Sequence, residues 1–208
     1  MVFVIDYGGG NTFNFHKVLT HLSVPFKASA DPADLAGAPI ALLMGVGHFG
    51  GAMEELTRRG FDTAIKSYVA GGGRLFGVCV GMQMLFEGSE EAPGVAGLGL
   101  LPGTLRKLTA RPDAPVPHVG FDEVRFDKPS QMTEGLADGT AFYFTHSFAM
   151  IDTPPNCWTA KCIHGGASFV AALDDGRVGG VQFHPEKSQS NGIAMLRNVL
   201  APYMSPAS

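Results

Sequence analysis

Runs of apolar residues recur through the first half of the chain, each followed by glycine or polar residues and then by helix-like spacing. VFVID, residues 2–6, reads as a buried strand, and YGGGN turns it into a helix near Thr12 to His21. PFKAS predicts a short strand, and PIALLM, Pro39 to Met44, an apolar strand that ends in GVGHFGG. Helical spacing returns around Met53 to Arg59 and Asp62 to Ala70, and RLFGV is the next strand. Strands alternating with helices through glycine-rich turns predict an α/β fold, a parallel sheet with helices on both faces.

The pattern changes between Gly103 and Phe183, where short alternating segments dominate: TLRKL, DEVRF, AFYFTHSF, SFVAAL and RVGGVQF. Alternation of period two marks half-buried strands, so these are expected as antiparallel strands added to the sheet or beside it. Gly88 to Pro102 reads as a surface excursion, and NGIAMLRNVLAPY as a closing amphipathic helix. There is no internal repeat and no low-complexity tract. A chain of 208 residues, 45% hydrophobic, suits one well-filled domain spanning residues 1–208.

Charge narrows the function classes. Charged residues make up 16% of the chain and the formal net charge is −4, which argues against a nucleic-acid binder with a basic face. No apolar run approaches the ~18 residues of a membrane span. MVFVIDYGGGN lacks the basic start and long apolar core of a signal peptide. Three cysteines form no disulfide framework, so a reducing, cytoplasmic setting is expected.

The chemistry begins at GVCVGMQMLF, residues 77–86. In G-x-C-x-G the thiol stands on a sharp strand-to-helix turn, and glycines two residues away on each side relieve crowding where the chain doubles back. A helix beginning near Val80 would point its N-terminus at Cys79, where free N–H groups suit a thiolate and a tetrahedral oxyanion. Taken alone, the pentapeptide fits equally well a buried cysteine in a glycine turn.

A cysteine nucleophile needs a base, and the base an orienting group. VQFHPEKSQ, residues 181–189, sets His184 and Glu186 two residues apart at a strand end, where i and i+2 share a face. The elbow and H-P-E together predict a triad of Cys79, His184 and Glu186. Cys157 and Cys162 in NCWTAKC match no common zinc spacing, so no metal is expected. YGGGN lacks the spacing of a phosphate cradle. His48 and His118 read as structural residues or as part of a partner surface.

GVCVGMQMLFEGSEE and GGVQFHPEKSQSNG resemble the two hallmark blocks of class I, triad-type glutamine amidotransferases. Within that class the chain is similar to the glutaminase subunits of imidazole glycerol phosphate synthase. IDYGGGN, LMGVGHF, VPHVGFD and FYFTHSF resemble further segments of that family. The resemblance implies a flavodoxin-like amidotransferase fold, L-glutamine as substrate, no cofactor, and a separate (β/α)8-barrel cyclase as partner. It makes Cys79 the nucleophile, His184 the general base and acid, and Glu186 its orienter. It assigns the oxyanion and substrate site to Gly45, Val46, Gly47, Val80, Gln83, Glu91, His146 and Ser147, and the partner seam to Asn11, Phe121, Tyr143 and Lys187. For Gln83 and Glu91 the residues alone suggest only a polar helix face and a loop acid.

Four positions depart from the family pattern. Met44 replaces the proline of Pro-Gly-Val-Gly, Phe121-Asp122 replaces Trp-Asn, and Gly9 stands where the family often has another residue. The missing proline removes a φ restraint beside the oxyanion strand, so these changes bear on regulation more than on chemistry. The same triad would also serve a glutaminase of pyridoxal phosphate or anthranilate synthesis. A non-catalytic regulatory homologue is the reading an intact triad opposes.

Overall fold

The computed structural model describes residues 1–9 and 12–204, so Asn11, assigned to the partner seam, lies outside the described residues. The first half runs β1 (Val2–Ile5), α1 (Thr12–His21), β2 (Phe26–Ser29), β3 (Ala41–Gly45), α2 (Phe49–Arg58), α3 (Phe61–Ala70) and β4 (Leu75–Cys79). α4 (Val80–Gln83) follows β4 directly. The second half holds β5 (Gly88–Ser89), β6 (Thr104–Lys107), β7 (His118–Phe126), β8 (Thr140–His146) and β9 (Phe148–Ala149). It closes with β10 (Trp158–His164), β11 (Ala167–Asp174), β12 (Val178–Val181), a 3-10 turn at Pro185–Lys187 and α5 (Gln189–Leu200).

One nine-stranded sheet carries the fold, in the order β2-β1-β3-β4-β12-β11-β10-β7-β8. From β2 to β12 the pairings are parallel, and from β12 to β8 they are antiparallel. The parallel part has the 2-1-3-4-5 order of flavodoxin-like sheets, in which ligands sit beyond the carboxyl ends of the strands. Its strands are continuous apolar runs, VFVI, ALLMG and LFGVC, buried at every position, as a sheet flanked by helices requires. β7 instead alternates: Val119 and Phe121 are exposed, while His118 and Val124 are buried.

The structure differs from the sequence reading in four places. RVGGVQF was expected to be antiparallel, and β12 is so toward β11, yet it lies parallel to β4 on its other side and lets the fifth parallel strand end beside Cys79. Its glycines hid that role, because Gly179 and Gly180 give no apolar run. The Gly88–Pro102 excursion is tied down, with Leu98 and Leu101 buried and Leu98 N–H donating to the Met84 carbonyl at 2.8 Å. NCWTAKC, read only for its thiols, opens β10. The helix expected from Val80 is a single turn, so its local N–H groups act on Cys79 rather than a long dipole. No helix among the described residues is long and apolar enough to cross a membrane.

Candidate active site

Cys79 sits where β4 ends, with φ 54° and ψ −114°. A β-carbon-bearing residue reaches this region only when its surroundings hold it there. The holding comes from close packing of the turn. A Cβ on Gly81 would overlap the Leu43 carbonyl of β3, and one on Gly77 would stand 2.6 Å from the Gly81 carbonyl oxygen. Only glycine at both positions lets the turn close against the neighbouring strand.

The next strand brings the second group. β12 ends at Val181, and the chain continues through buried Gln182 and Phe183 to His184, which is 3% exposed. The His184 N–H donates to the Tyr143 carbonyl at 2.8 Å, and Ser188 Oγ donates to the His184 carbonyl at 2.7 Å. The imidazole is thereby pinned from β8 and from the first turn after Pro185. Its Nδ1 stands 2.8 Å from Glu186 Oε1, and both His184 and Cys79 line the same cavity. Burial opposes charge on His184, but the neighbouring Cys79 and then the bond to Glu186 outweigh it, pushing the imidazole up to about 9. The ring is therefore held as an imidazolium at neutral pH.

These groups open onto a cavity of about 360 Å³, at the small end of the ~300–1,000 Å³ typical of small-molecule sites. Cys79, Val80 and Gln83 line it from the elbow, Val46 and Gly47 from the end of β3, and His146 and Ser147 from the end of β8. Glu91 and Lys187 also line it, whereas Gly45 and Glu186 are not among its lining residues. Gly47 has φ +88°, a left-handed turn directly after β3. Met44, in the place of the expected proline, is buried and paired with Val78.

Several of these side chains are already engaged. The Gln83 amide donates to the Phe148 carbonyl at 2.9 Å and to Gln182 Oε1 at 3.0 Å, which uses both its N–H groups and leaves its oxygen for a ligand. Glu91 Oε2 accepts from Phe49 N–H at 2.7 Å, at the start of α2. His146 Nδ1 donates to the Phe148 carbonyl at 3.0 Å, and its burial, foremost, lowers the imidazole to about 3. His48, a tempting extra base, caps α2 by accepting from Gly50 N–H at 3.1 Å.

Three of the four predicted seam residues, Phe121, Tyr143 and Lys187, stand together beside the cavity. The Phe121 ring meets Tyr143 edge-on at 5.4 Å, and Lys187 Nζ lies 5.7 Å from the centre of the Tyr143 ring. Two residues near the thiol were not singled out from sequence. Gln182 Nε2 approaches Cys79 Sγ at 3.9 Å. Tyr7 is fully buried, and its hydroxyl has no hydrogen-bond partner among the described residues. Burial foremost, and then the charge at Cys79, raise its phenol well above the usual range. Gln182 sits in a strand-like run that looks like plain core, and Tyr7 in a glycine-rich turn that draws attention to its glycines.

A family model described as glutamine amidotransferase class-I matches residues 3–202. Imidazole glycerol phosphate synthase subunit HisH of Chlorobium luteolum is 39% identical over 198 residues, covering 95% of this chain and 98% of that protein. The protein of the same name from Moorella thermoacetica is 40% identical, covering 94% and 91%. In Arabidopsis thaliana, the chloroplastic imidazole glycerol phosphate synthase hisHF is 35% identical over 97% of this chain, which spans 34% of that longer protein. Among solved structures, a glutamine amidotransferase superposes with TM-score 0.75 at 18% identity, covering 96% of this chain and 97% of the other.

Proposed function

The chain belongs to the class-I glutamine amidotransferase family, and on that premise we propose that it is the glutaminase subunit of imidazole glycerol phosphate synthase in histidine biosynthesis. One observation carries the chemistry: a cysteine at positive φ and a histidine whose Nδ1 meets Glu186 at 2.8 Å line the same small cavity. The relatives that bear the synthase name match this chain almost end to end. Residues 1–208 act as one amidotransferase domain, in the cytoplasm, where three free thiols are at home.

The Cys79 thiolate attacks the side-chain amide carbon of L-glutamine, and the carbonyl π electrons move onto oxygen. Val80 N–H and the backbone at Gly45, Val46 and Gly47 hold that oxyanion. As the tetrahedral adduct collapses, the C–N bond breaks and the His184 imidazolium protonates the leaving nitrogen, releasing ammonia and a γ-glutamyl thioester. His184, now neutral, takes a proton from water, whose oxygen attacks the thioester. Glutamate then departs and the thiolate is restored. Glu186 fixes the His184 ring and supports its charge. The second oxygen of Glu91 receives the α-ammonium of the substrate, and the Gln83 oxygen and the Ser147 segment hold the rest of the amino acid.

Ammonia is useful only while unprotonated, so it is delivered directly to a separate (β/α)8-barrel cyclase docked over Phe121, Tyr143 and Lys187. That cyclase forms imidazole glycerol phosphate and aminoimidazole carboxamide ribotide. Mixing the chain with the cyclase subunit and its nucleotide substrate tests this reading. Glutamate and imidazole product should then appear in equal amounts, and glutamine turnover should exceed that of the chain alone. Failure of glutamine to support product formation overturns it.

A further inference from the structure

Beside the cavity, on the inner face of β7, lies a cluster that the proposed reaction does not use. His118 and Asp122 share that face at i and i+4, and continuing the β7–β10 register from Cys162 opposite Val124 sets His164 opposite Asp122. One donor atom from each of the three lies within 4.8 Å of the other two. His118 Nε2 is 3.4 Å from Asp122 Oδ2, close to the spacing of two donors on one tetrahedral ion with bonds of ~2.1 Å.

The hydrogen bonds around the cluster decide where its protons are. The Phe148 carbonyl can only accept, so His146 Nδ1 carries a hydrogen and its Nε2 is bare. That nitrogen faces His118 Nδ1 at 3.2 Å, so the hydrogen between them belongs to His118 Nδ1. His118 Nε2 is then bare as well, and it faces a carboxylate. The Pro115 carbonyl fixes His164 in the same way: Nε2 donates at 2.9 Å, leaving Nδ1 bare. Each of these two imidazoles is thus left with one bare nitrogen, beside a carboxylate and in a group whose donor atoms stand within 4.8 Å of one another. Such a set repels itself unless a cation joins it.

We propose that His118 Nε2, His164 Nδ1 and Asp122 form a binding site for one divalent transition-metal ion of the Zn²⁺ class. Two neutral imidazoles and one carboxylate are the donors such ions take, and solvent at the open edge of Asp122 can fill the fourth position. The supporting contacts are those a metal site needs. Both ligand histidines have their second nitrogen oriented, one by His146 and one by a carbonyl. Asp122 Oδ1 accepts from Glu123 N–H at 2.9 Å, which orients the carboxylate. The two rings stack at 4.0 Å with 23° between their planes, so closing on one ion turns the half-buried His164 ring. An amide in place of Asp122 could donate to His118 Nε2 and complete the network without a cation, and a carboxylate cannot. Because His118 bonds His146, which lines the cavity, an ion here fixes one wall of the substrate pocket from behind.

Titrating tag-free, full-length protein with Co²⁺ tests the site, in a Cys79→Ala background so that the elbow thiol and His184 offer no competing chelate. The expected result is one equivalent bound, with visible d–d absorption and no thiolate charge-transfer band, displaced by Zn²⁺. Asp122→Asn and His164→Gln, with unchanged circular dichroism, should each weaken binding at least about tenfold, since loss even of outer partners costs that much. Absence of stoichiometric binding in the parent, or binding that both substitutions leave intact, overturns the proposal.

Discussion

His184 Nδ1 meets Glu186 Oε1 at 2.8 Å across a single intervening proline, and the other Glu186 oxygen, Oε2, is buried without a partner among the described residues. The carboxylate is therefore committed to the histidine. Glu186→Gln keeps the shape but removes the charge that supports the imidazolium. Glutamine hydrolysis should fall at least about 100-fold in kcat, with KM little changed, by analogy with the loss of the third member of other triads. A steady-state assay that finds less than a fewfold loss would take Glu186 out of the triad.

The same pair sets a pH dependence of stability. Folded His184 holds its proton up to about 9, against an ordinary 6.5 in the unfolded chain. Between those values the native state binds more protons, so stability falls as pH rises through that window and is fully present below it. The slope is at most about 1.4 kcal/mol per pH unit for one proton. Urea midpoints from pH 6 to 10 should show the decline, and Cys79→Ala, which removes the largest upward influence, should flatten it. A parent profile that rises over the window contradicts the assignment.

Gly81→Ala tests the elbow as architecture. The new methyl would strike the backbone of β3 at Leu43, which cannot swing away as a side chain would. The cost should exceed the ~1–3 kcal/mol of ordinary overpacking, lowering Tm by about 6 °C or more in a chain of this size. Calorimetry that finds an unchanged Tm would mean that β3 and the elbow are less tightly apposed.

Lys187 links the cavity rim to the outer face, where its ammonium lies 5.7 Å from the Tyr143 ring centre. Exposed lysines usually add little to stability, so Lys187→Ala should leave the fold intact. In the reconstituted pair it should raise the ratio of glutamate to imidazole product severalfold, because hydrolysis no longer waits on docking. A ratio and partner affinity that stay at parent values would return Lys187 to the solvated surface.

Much of this was legible from residues. The helices and strands of the first half follow their apolar runs to within a few positions, because a sheet buried on both faces writes itself as continuous hydrophobic sequence. GVCVG and HPE were readable because each is local: the elbow needs its glycines, and His184 and Glu186 are two residues apart. What escaped was non-local. The parallel placement of β12 rests on pairing with β4 and not on its own glycine-rich residues. Gln182 reaches the thiol only after folding. His118, Asp122 and His164 come from two strands, and nothing in their spacing announces that their hydrogens are spoken for elsewhere.

The central claim is that Cys79 attacks glutamine and that ammonia then passes to a second subunit. The measurement is product formation by the reconstituted pair carrying Cys79→Ala, fed either glutamine or an ammonium salt at raised pH. Glutamine-dependent synthesis and glutamate release should vanish, while ammonium should support synthesis at the rate of the unsubstituted pair. Glutamine hydrolysis that survives the substitution, or loss of the ammonium-dependent reaction along with it, would contradict the account.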